Sequence, residues 1–217
     1  MKRANHTSSY LGDFNSGATL GGEVSRYQDK QSIYRQGEPA ETLFYIQKGA
    51  VRLSTRRNNR PSAVTAILGV GDFFGELCLA DYPHRMSTAV ALTDSSIRTI
   101  KKEKMLQLIR KSHRASNSFV AHLLSSVKKY RDQVADLLTS SADQRLAHVL
   151  LQLAHLGRNG RAVVEIPFLS HKVLAEMVGT TRSRVNVFMN RFRKQGFINY
   201  GEGIEVRPSL RKVVRKR

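Results

Sequence analysis

The sequence predicts an α+β chain in three parts: an antiparallel roll of short β-strands, a long helix, and a C-terminal group of helices closed by a β-hairpin. Three features of the 217 residues carry that expectation. Short apolar runs recur between glycines from about residue 30 to about residue 100. The apolar period then changes to steps of three and four. Further on, two helix-length segments meet across Gly179. Many short strands at near-regular spacing indicate a roll, barrel or sandwich, and steps of three and four indicate amphipathic helices.

Residues 1–25 are rich in Ser, Gly, Asn and Thr and are expected to form a flexible leader. The roll is expected over residues 26–114. Its strand candidates are Leu43 to Ile46, Val51 to Ser54, Val64 to Leu68, Phe73-Phe74, Thr88 to Leu92 and Ile97 to Ile100. Met105, Leu106, Leu108 and Ile109 suit a short amphipathic helix. A longer helix is expected over 115–138, with Phe119, Leu123, Val127, Tyr130, Val134 and Leu137 on one stripe. Their steps of 4, 4, 3, 4 and 3 are close to a coiled-coil seam, which predicts a homodimer unless the stripe is buried in its own domain.

The last domain is expected over 139–217. Gln144 to Leu156 carries Leu146, Val149, Leu150, Leu153 and Leu156 on one face, and Ser170 to Val178 forms a second helix. Gly179 breaks it. Thr180 and Thr181 are both candidate N-caps for a third helix from Arg182 to about Lys194, with Val185, Phe188, Met189 and Phe192 as its buried side. Gly196 stops that helix, and Phe197 to Val206 has the β-residues and central glycines of a hairpin.

Lys and Arg number 36 against 17 acids, a net charge of +19. Residues 139–217 hold 15 basic and 5 acidic residues (+10), and residues 1–138 hold 21 and 12 (+9), so the C-terminal part is the more basic per residue. Such a charge attracts polyanions without specifying a fold. The single cysteine, Cys78, excludes an internal disulfide and any site needing several cysteines of one chain. It reads as a packed core thiol. With no run of roughly 18 apolar residues and no signal-peptide pattern, the chain is expected to be cytoplasmic, with no membrane partner.

Two helices joined by a tight turn hold the second at a steep angle, so that its first turn can enter the major groove of DNA. On a helix starting at Arg182, the groove-facing positions are Arg182, Ser183, Asn186 and Val187, with Asn190 deeper. Arg suits guanine and Asn suits adenine. Lys172, Thr180, Thr181 and Arg184 suit phosphate oxygens, which position a domain without reading sequence. An Arg pair at a helix N-terminus opposes the macrodipole, so an anionic partner explains Arg182 and Arg184 better than solvent does.

At this point a family is visible. LAEMVGTTRSRVNVFMNRFRKQGFI resembles the helix-turn-helix of the Crp/Fnr family of bacterial regulators. Gly37-Glu38-Pro39, Tyr45-Ile46-Gln47-Lys48-Gly49 and Leu68 to Leu77 (LGVGDFFGEL) resemble that family's cyclic-nucleotide-binding-like β-roll. The resemblance covers roughly residues 25–210. It implies a winged helix-turn-helix, a homodimer through the long helix, an inverted-repeat site on double-stranded DNA, and effector-controlled transcription with RNA polymerase as a further partner. Members commonly carry Glu where Ser183 stands and often Arg where Val187 stands, so the family's best-known half-site is not expected here.

The resemblance also implies a pocket of Gly75, Glu76 and Leu77 at the ribose and Arg85 at a cyclic phosphate. The residue after Arg85 is Met86, which donates no hydrogen bond, and strand alternation turns only one of Ser87 and Thr88 inward. Tyr130 and Arg131 stand where cyclic AMP sensors carry small hydroxyl residues, and they would crowd a purine. The residues therefore read against cyclic AMP and leave the effector unnamed. Iron–sulfur sensing lacks its cysteines, and haem ligation by Cys78 or His84 has no supporting pattern. Two other classes compete. A β-roll subunit acting through protein contacts would not need the helix-turn-helix. An enzyme would need a nucleophile–base–orienter set or a metal spacing, which Glu76, His84 and Arg85 do not supply.

Overall fold

The computed structural model describes residues 21–57, 62–156, 164–166, 169–201 and 203–214. The chain divides into two compact units, residues 1–53 with 68–132, and residues 54–67 with 133–217.

Eight strands build the roll: β1 (Glu23–Tyr27), β2 (Ser32–Tyr34), β3 (Thr42–Lys48), β4 (Val51–Thr55), β5 (Ala63–Leu68), β6 (Phe73–Phe74), β7 (Thr88–Ala91) and β8 (Ser95–Lys101). They form two four-stranded sheets, ordered β1-β8-β3-β6 and β2-β7-β4-β5. A short 3-10 turn, Glu76–Ala80, joins β6 to β7. The six sequence-predicted strands are all present. β1 and β2 are additional, and β1 begins inside the 1–25 stretch expected to be leader. It is held there by antiparallel pairing with β8, from Glu23↔Thr99 to Tyr27↔Ser95. Beside it the buried Arg98 donates to the carbonyls of Gly21 and Gly22 at 3.3 Å. Residues 1–20 lie outside the described residues.

β3 has no solvent face: Leu43, Phe44, Tyr45 and Ile46 are all buried. Side chains alternate across a strand, so its two faces serve two different cores. Leu43 and Tyr45 join Phe73, Cys78, Ile100, Met105, Ala115 and Phe119 in one cluster. Phe44 stacks on Phe74 at 5.0 Å and lies 5.5 Å from Tyr34 on the other side. Cys78 is 1% exposed and behaves as the packed thiol expected of it; burial pushes its pKa up.

The helices of the first cluster are α1 (Lys102–Lys111) and the front of α2 (His113–Thr139). Met105 of α1 and Ala115 and Phe119 of α2 are the residues that enter it. His122 of α2 is buried, its ring edge-on to Phe73 at 5.2 Å, and its Nε2 accepts the Phe73 backbone N–H at 3.4 Å. Farther along α2, Lys129 pairs with Asp72 at 3.0 Å.

The second unit carries α3 (Ala142–Leu156), β9 (Val164–Ile166), α4 (His171–Val178), α5 (Arg182–Lys194), β10 (Ile198–Tyr200), β11 (Ile204–Val206) and α6 (Arg211–Val214). Leu146, Leu150, Leu174, Val178, Val185, Met189 and Phe192 are fully buried and form its centre, whereas Phe188 is only half-buried. The expected hairpin is β10 and β11, with a third strand added: β9 pairs with β11 through Ile166↔Ile204. No described helix is long and apolar enough to cross a membrane.

His122 gives the first unit an acid sensitivity. Burial pulls its pKa below the usual histidine range, Asp72 acts the other way, and Lys129 adds to the fall. The folded chain therefore refuses a proton that the unfolded chain accepts near pH 6.5. Stability is full above that value and falls as the pH drops towards the folded pKa, by at most about 1.4 kcal/mol per pH unit. Denaturant midpoints measured at pH 7.5 and 5.5 are expected to separate less in His122→Gln than in the parent. An equal separation in both proteins would overturn the assignment.

Candidate nucleic-acid interface and roll pocket

α4 and α5 are set by their ends. The Ser170 side chain accepts the Val173 N–H at 3.3 Å and starts α4. Gly179 ends it with φ 67° and ψ 48°, the left-handed region that glycine enters without a Cβ penalty. An added Cβ would meet nothing within 4 Å there, so the demand on Gly179 comes from the backbone conformation alone. Thr181 is the cap of α5, its Oγ1 accepting the Arg184 N–H at 3.3 Å; Thr180 is half-buried beside it.

Two arginines fix this pair of helices. Arg145 of α3 donates from Nε to the Val178 carbonyl at 2.9 Å and from Nη1 to the Ser140 carbonyl at 2.6 Å. It thereby caps the end of α4 with a positive charge, where the macrodipole favours one. Arg191 of α5 turns back on the protein: it pairs with Asp143 of α3, and its guanidinium lies 5.5 Å from the Phe188 ring and 5.6 Å from the Phe192 ring. Neither role was legible in residue type. Arg191 sits on the basic helix like any other, and only the contact identifies it as structural.

The opposite side of α5 is bare. Arg182, Ser183, Arg184, Asn186 and Val187 are exposed, and Asn190 is half-buried. Val187 is 62% exposed, an apolar side chain that the fold leaves in water. The first turn of α5 has no acidic residue. Lys172 is exposed on α4. The residues expected to meet DNA are thus exposed, apart from Thr180 and Asn190, which are partly covered.

In the roll, Arg85 is 6% exposed. Its Nη1 donates to the Thr42 carbonyl at 2.7 Å and to the Gly75 carbonyl at 3.4 Å, and its Nη2 donates to Thr42 Oγ1 at 2.8 Å. The guanidinium lies 4.5 Å from the Tyr34 ring and 5.1 Å from the Phe44 ring. Gly75, with φ 75°, passes so close that a Cβ on it would sit 2.6 Å from Arg85 Nη1. Burial pushes the Tyr34 hydroxyl up to about 12, against the opposing pull of its hydrogen bond with Ser87 and of Arg85. Burial also raises the Glu76 carboxyl and the Tyr130 hydroxyl, and Tyr130 is near enough to Glu76 for that charge to add to the rise.

Gly75, Glu76, Arg85 and Ser87 therefore come together, with Tyr130 of α2 41% exposed but within range of the Glu76 charge, and Tyr34, Thr42 and Phe44 complete the set. Sequence reasoning missed those three. Ser87 is the inward member of its pair, because Thr88 Oγ1 accepts the Gln36 N–H at 3.0 Å instead. Leu77, Met86 and Arg131 are exposed, Met86 by 52%, so the structure does not bring them into the set. Among the described residues no group of three or more His, Cys, Asp or Glu could hold a metal.

The stripe on α2 differs from the expected one. Phe119 is 5% exposed, edge-on to Phe73 at 5.6 Å, and Leu123 packs on the same cluster. Phe119 is thus a core residue of its own unit, which corrects its assignment to the seam. The front of α2 lies on the roll, so its inner stripe is consumed there. Val120, Leu124, Val127, Tyr130, Val134, Leu137 and Leu138 are left exposed. Positions 120, 124, 127, 131, 134 and 138 step by 4, 3, 4, 3 and 4, an uninterrupted heptad in which Arg131 is the polar member.

Residues 24–112 match a family model described as cyclic nucleotide-binding domain, and residues 144–211 match one described as Crp-like helix-turn-helix domain. The cyclic AMP receptor protein of Thermus thermophilus is 30% identical over 183 residues, covering 83% of this chain and 82% of that one. A CRP-like cAMP-activated global transcriptional regulator of Mycobacterium tuberculosis is 26% identical over 189 residues, covering 86% and 84%. Among solved structures, FixK2 from Bradyrhizobium japonicum has a TM-score of 0.77 at 22% identity, covering 89% of this chain and 96% of that one. A CRP-family transcriptional regulator from Thermus thermophilus has a TM-score of 0.75 at 23% identity, covering 88% and 97%.

The two threonines at the turn can be told apart by stability. Thr181→Ala removes the cap of α5 and is expected to cost about 1 kcal/mol, read as a lowered denaturant midpoint. Thr180→Ala, which removes no cap, is expected to stay within about 0.5 kcal/mol of the parent. The reverse order would show that Thr180 is the cap in solution.

Proposed function

Since the chain belongs to the Crp/Fnr family of transcription regulators, we propose that it binds an inverted repeat in double-stranded DNA as a homodimer, under the control of a signal at the β-roll. The observation that carries this reading is the bare face of α5. Arg182, Ser183, Arg184, Asn186 and Val187 stand exposed behind a Thr181 cap, with two arginines and no acid in the first turn. A helix start of that kind is electrostatically incomplete until an anion meets it.

In this reading Arg182 takes a guanine by its two parallel donors, and Val187 offers its methyls to a thymine methyl. Ser183 and Asn186 complete the base-reading set. Lys172, Thr180, Thr181 and Arg184 hold phosphates. Two copies joined along α2 set two such helices on half-sites whose centres lie roughly 34 Å apart. Activation or repression would then pass through RNA polymerase, in the cytoplasm where the DNA is.

The roll pocket is the sensor. Relatives named for cyclic AMP make it the first ligand to test, and this chain's residues speak against it. Arg85 is engaged by Thr42, Met86 faces solvent and donates nothing, and Tyr130 lies within range of the Glu76 charge. An effector that uses Gly75, Glu76, Arg85, Ser87 and Tyr130 must be recognised through other groups than those of a cyclic purine nucleotide.

Two measurements test the reading. Leu124→Glu with Val127→Glu puts four charges into a dimer seam, and ultracentrifugation is expected to show monomers that no longer bind the operator; a double variant that remains dimeric removes the α2 seam. For DNA, Arg182→Ala is expected to cost on the order of 1–3 kcal/mol per half-site and to relax one base position in selection from random DNA. Lys172→Ala is expected to weaken all sequences alike and to lower the salt slope by about 0.9 for each phosphate it no longer neutralises. An unchanged motif in Arg182→Ala together with an altered motif in Lys172→Ala would reverse these roles.

A further inference from the structure

Arg182, Asn186 and Asn190 follow one another at steps of four on α5, a single stripe of its exposed side. Along that stripe Nδ2 of Asn190 donates to Oδ1 of Asn186 at 3.4 Å. Asn190 is half-buried and Asn186 exposed, so the bond runs from the protein outward to the amide that stands where a base would be met. The residue type alone points to adenine. That readout needs both ends of the amide, the carbonyl for the N6 amino group and the NH2 for N7. With its carbonyl turned back to Asn190, Asn186 presents only the NH2 outward.

We propose that Asn190 is a positioning residue that fixes the Asn186 amide with its amino group outward, so that this position favours an edge that offers acceptors with no donor beside them, thymine O4 or guanine O6 and N7, over adenine, whose N7 acceptor is flanked by the N6 amino donor. The inference rests on the reading of α5 as the base-reading helix and adds a specificity that the reading does not contain. It has a chemical inverse. Asp at position 190 can only accept at neutral pH. The Asn186 NH2 must then turn inward and its carbonyl outward, towards the donor edges of adenine N6 or cytosine N4.

Selection from random DNA with the full-length parent, Asn186→Ala, Asn190→Ala and Asn190→Asp tests this. The base pair concerned is the one whose preference disappears in Asn186→Ala. The parent is expected to hold thymine or guanine there. Asn190→Ala, which frees the amide, is expected to admit adenine beside them. Asn190→Asp is expected to invert the preference, roughly three- to tenfold in relative enrichment, the weight of one hydrogen bond. Repulsion between the new carboxylate and phosphates acts on every sequence alike and cancels in relative enrichment. A merely structural role for Asn190 would lower affinity and leave the preferred base unchanged. Adenine in the parental motif, or a preference unmoved by both Asn190 variants, overturns the proposal and leaves α5 as the reading helix. A parent that enriches no motif overturns both.

Discussion

A strand buried on both faces must be covered on both, and β3 imposes that condition on the whole of its unit. Leu43 and Tyr45 require a cover on one side, which Met105, Ala115 and Phe119 of the two helices provide. Phe44 requires one on the other, where Phe74 and Tyr34 stack. The same short β6 serves both sides, because Phe73 faces the helices and Phe74 the roll interior. Gly75 and Glu76 follow at once, so the turn whose Gly75 carbonyl accepts from Arg85 starts from a strand held on either face. His122 and Lys129 then tie residues 72 and 73 to α2. The chain just before the Gly75 turn is therefore tied to α2 at two adjacent residues, Asp72 and Phe73.

The second unit solves a different problem, holding a basic helix with the arginines of its first turn exposed. Leu174, Val178, Val185, Met189 and Phe192 supply the apolar lock, but the expulsion of water alone does not fix an angle. Direction comes from polar contacts: the Arg145 guanidinium on the Val178 carbonyl, Gly179 in the left-handed region, and Arg191 drawn onto Asp143. One consequence is a division of labour among like charges on α5. Arg191 is neutralised against Asp143, and Arg182 and Arg184 have no acidic partner among the described residues.

Much of this was written in the sequence where periodicity is strong. The roll strands, the helix from Arg182 to Lys194 and the hairpin of Ile198 to Val206 follow from apolar spacing and glycine punctuation. What stayed hidden has specific causes. β2 and β9 are three residues each, too short to display alternation. The steps 4, 4, 3, 4 and 3 on α2 combined two stripes, because periodicity records that a residue is apolar and not which partner it meets. Phe119 and Leu123 belong to the roll, whereas Val120, Leu124 and Leu138 continue the exposed heptad. Tyr34 and Thr42 reach Arg85 only because distant strands meet, and no local pattern reports that. Polar roles such as those of Arg145 and Arg191 depend on particular contacts and leave no trace in residue type.

The thiol of Cys78 is the only one in the chain, and the fold closes it away from solvent. Two folded copies therefore have no means of becoming cross-linked through sulfur, whatever the redox state around them. Any pairing along α2 is held by non-covalent contact alone and obeys mass action. The dimer fraction, and with it the occupancy of a two-fold site, must rise with the amount of protein present. A regulator that pairs in this way responds to its own abundance.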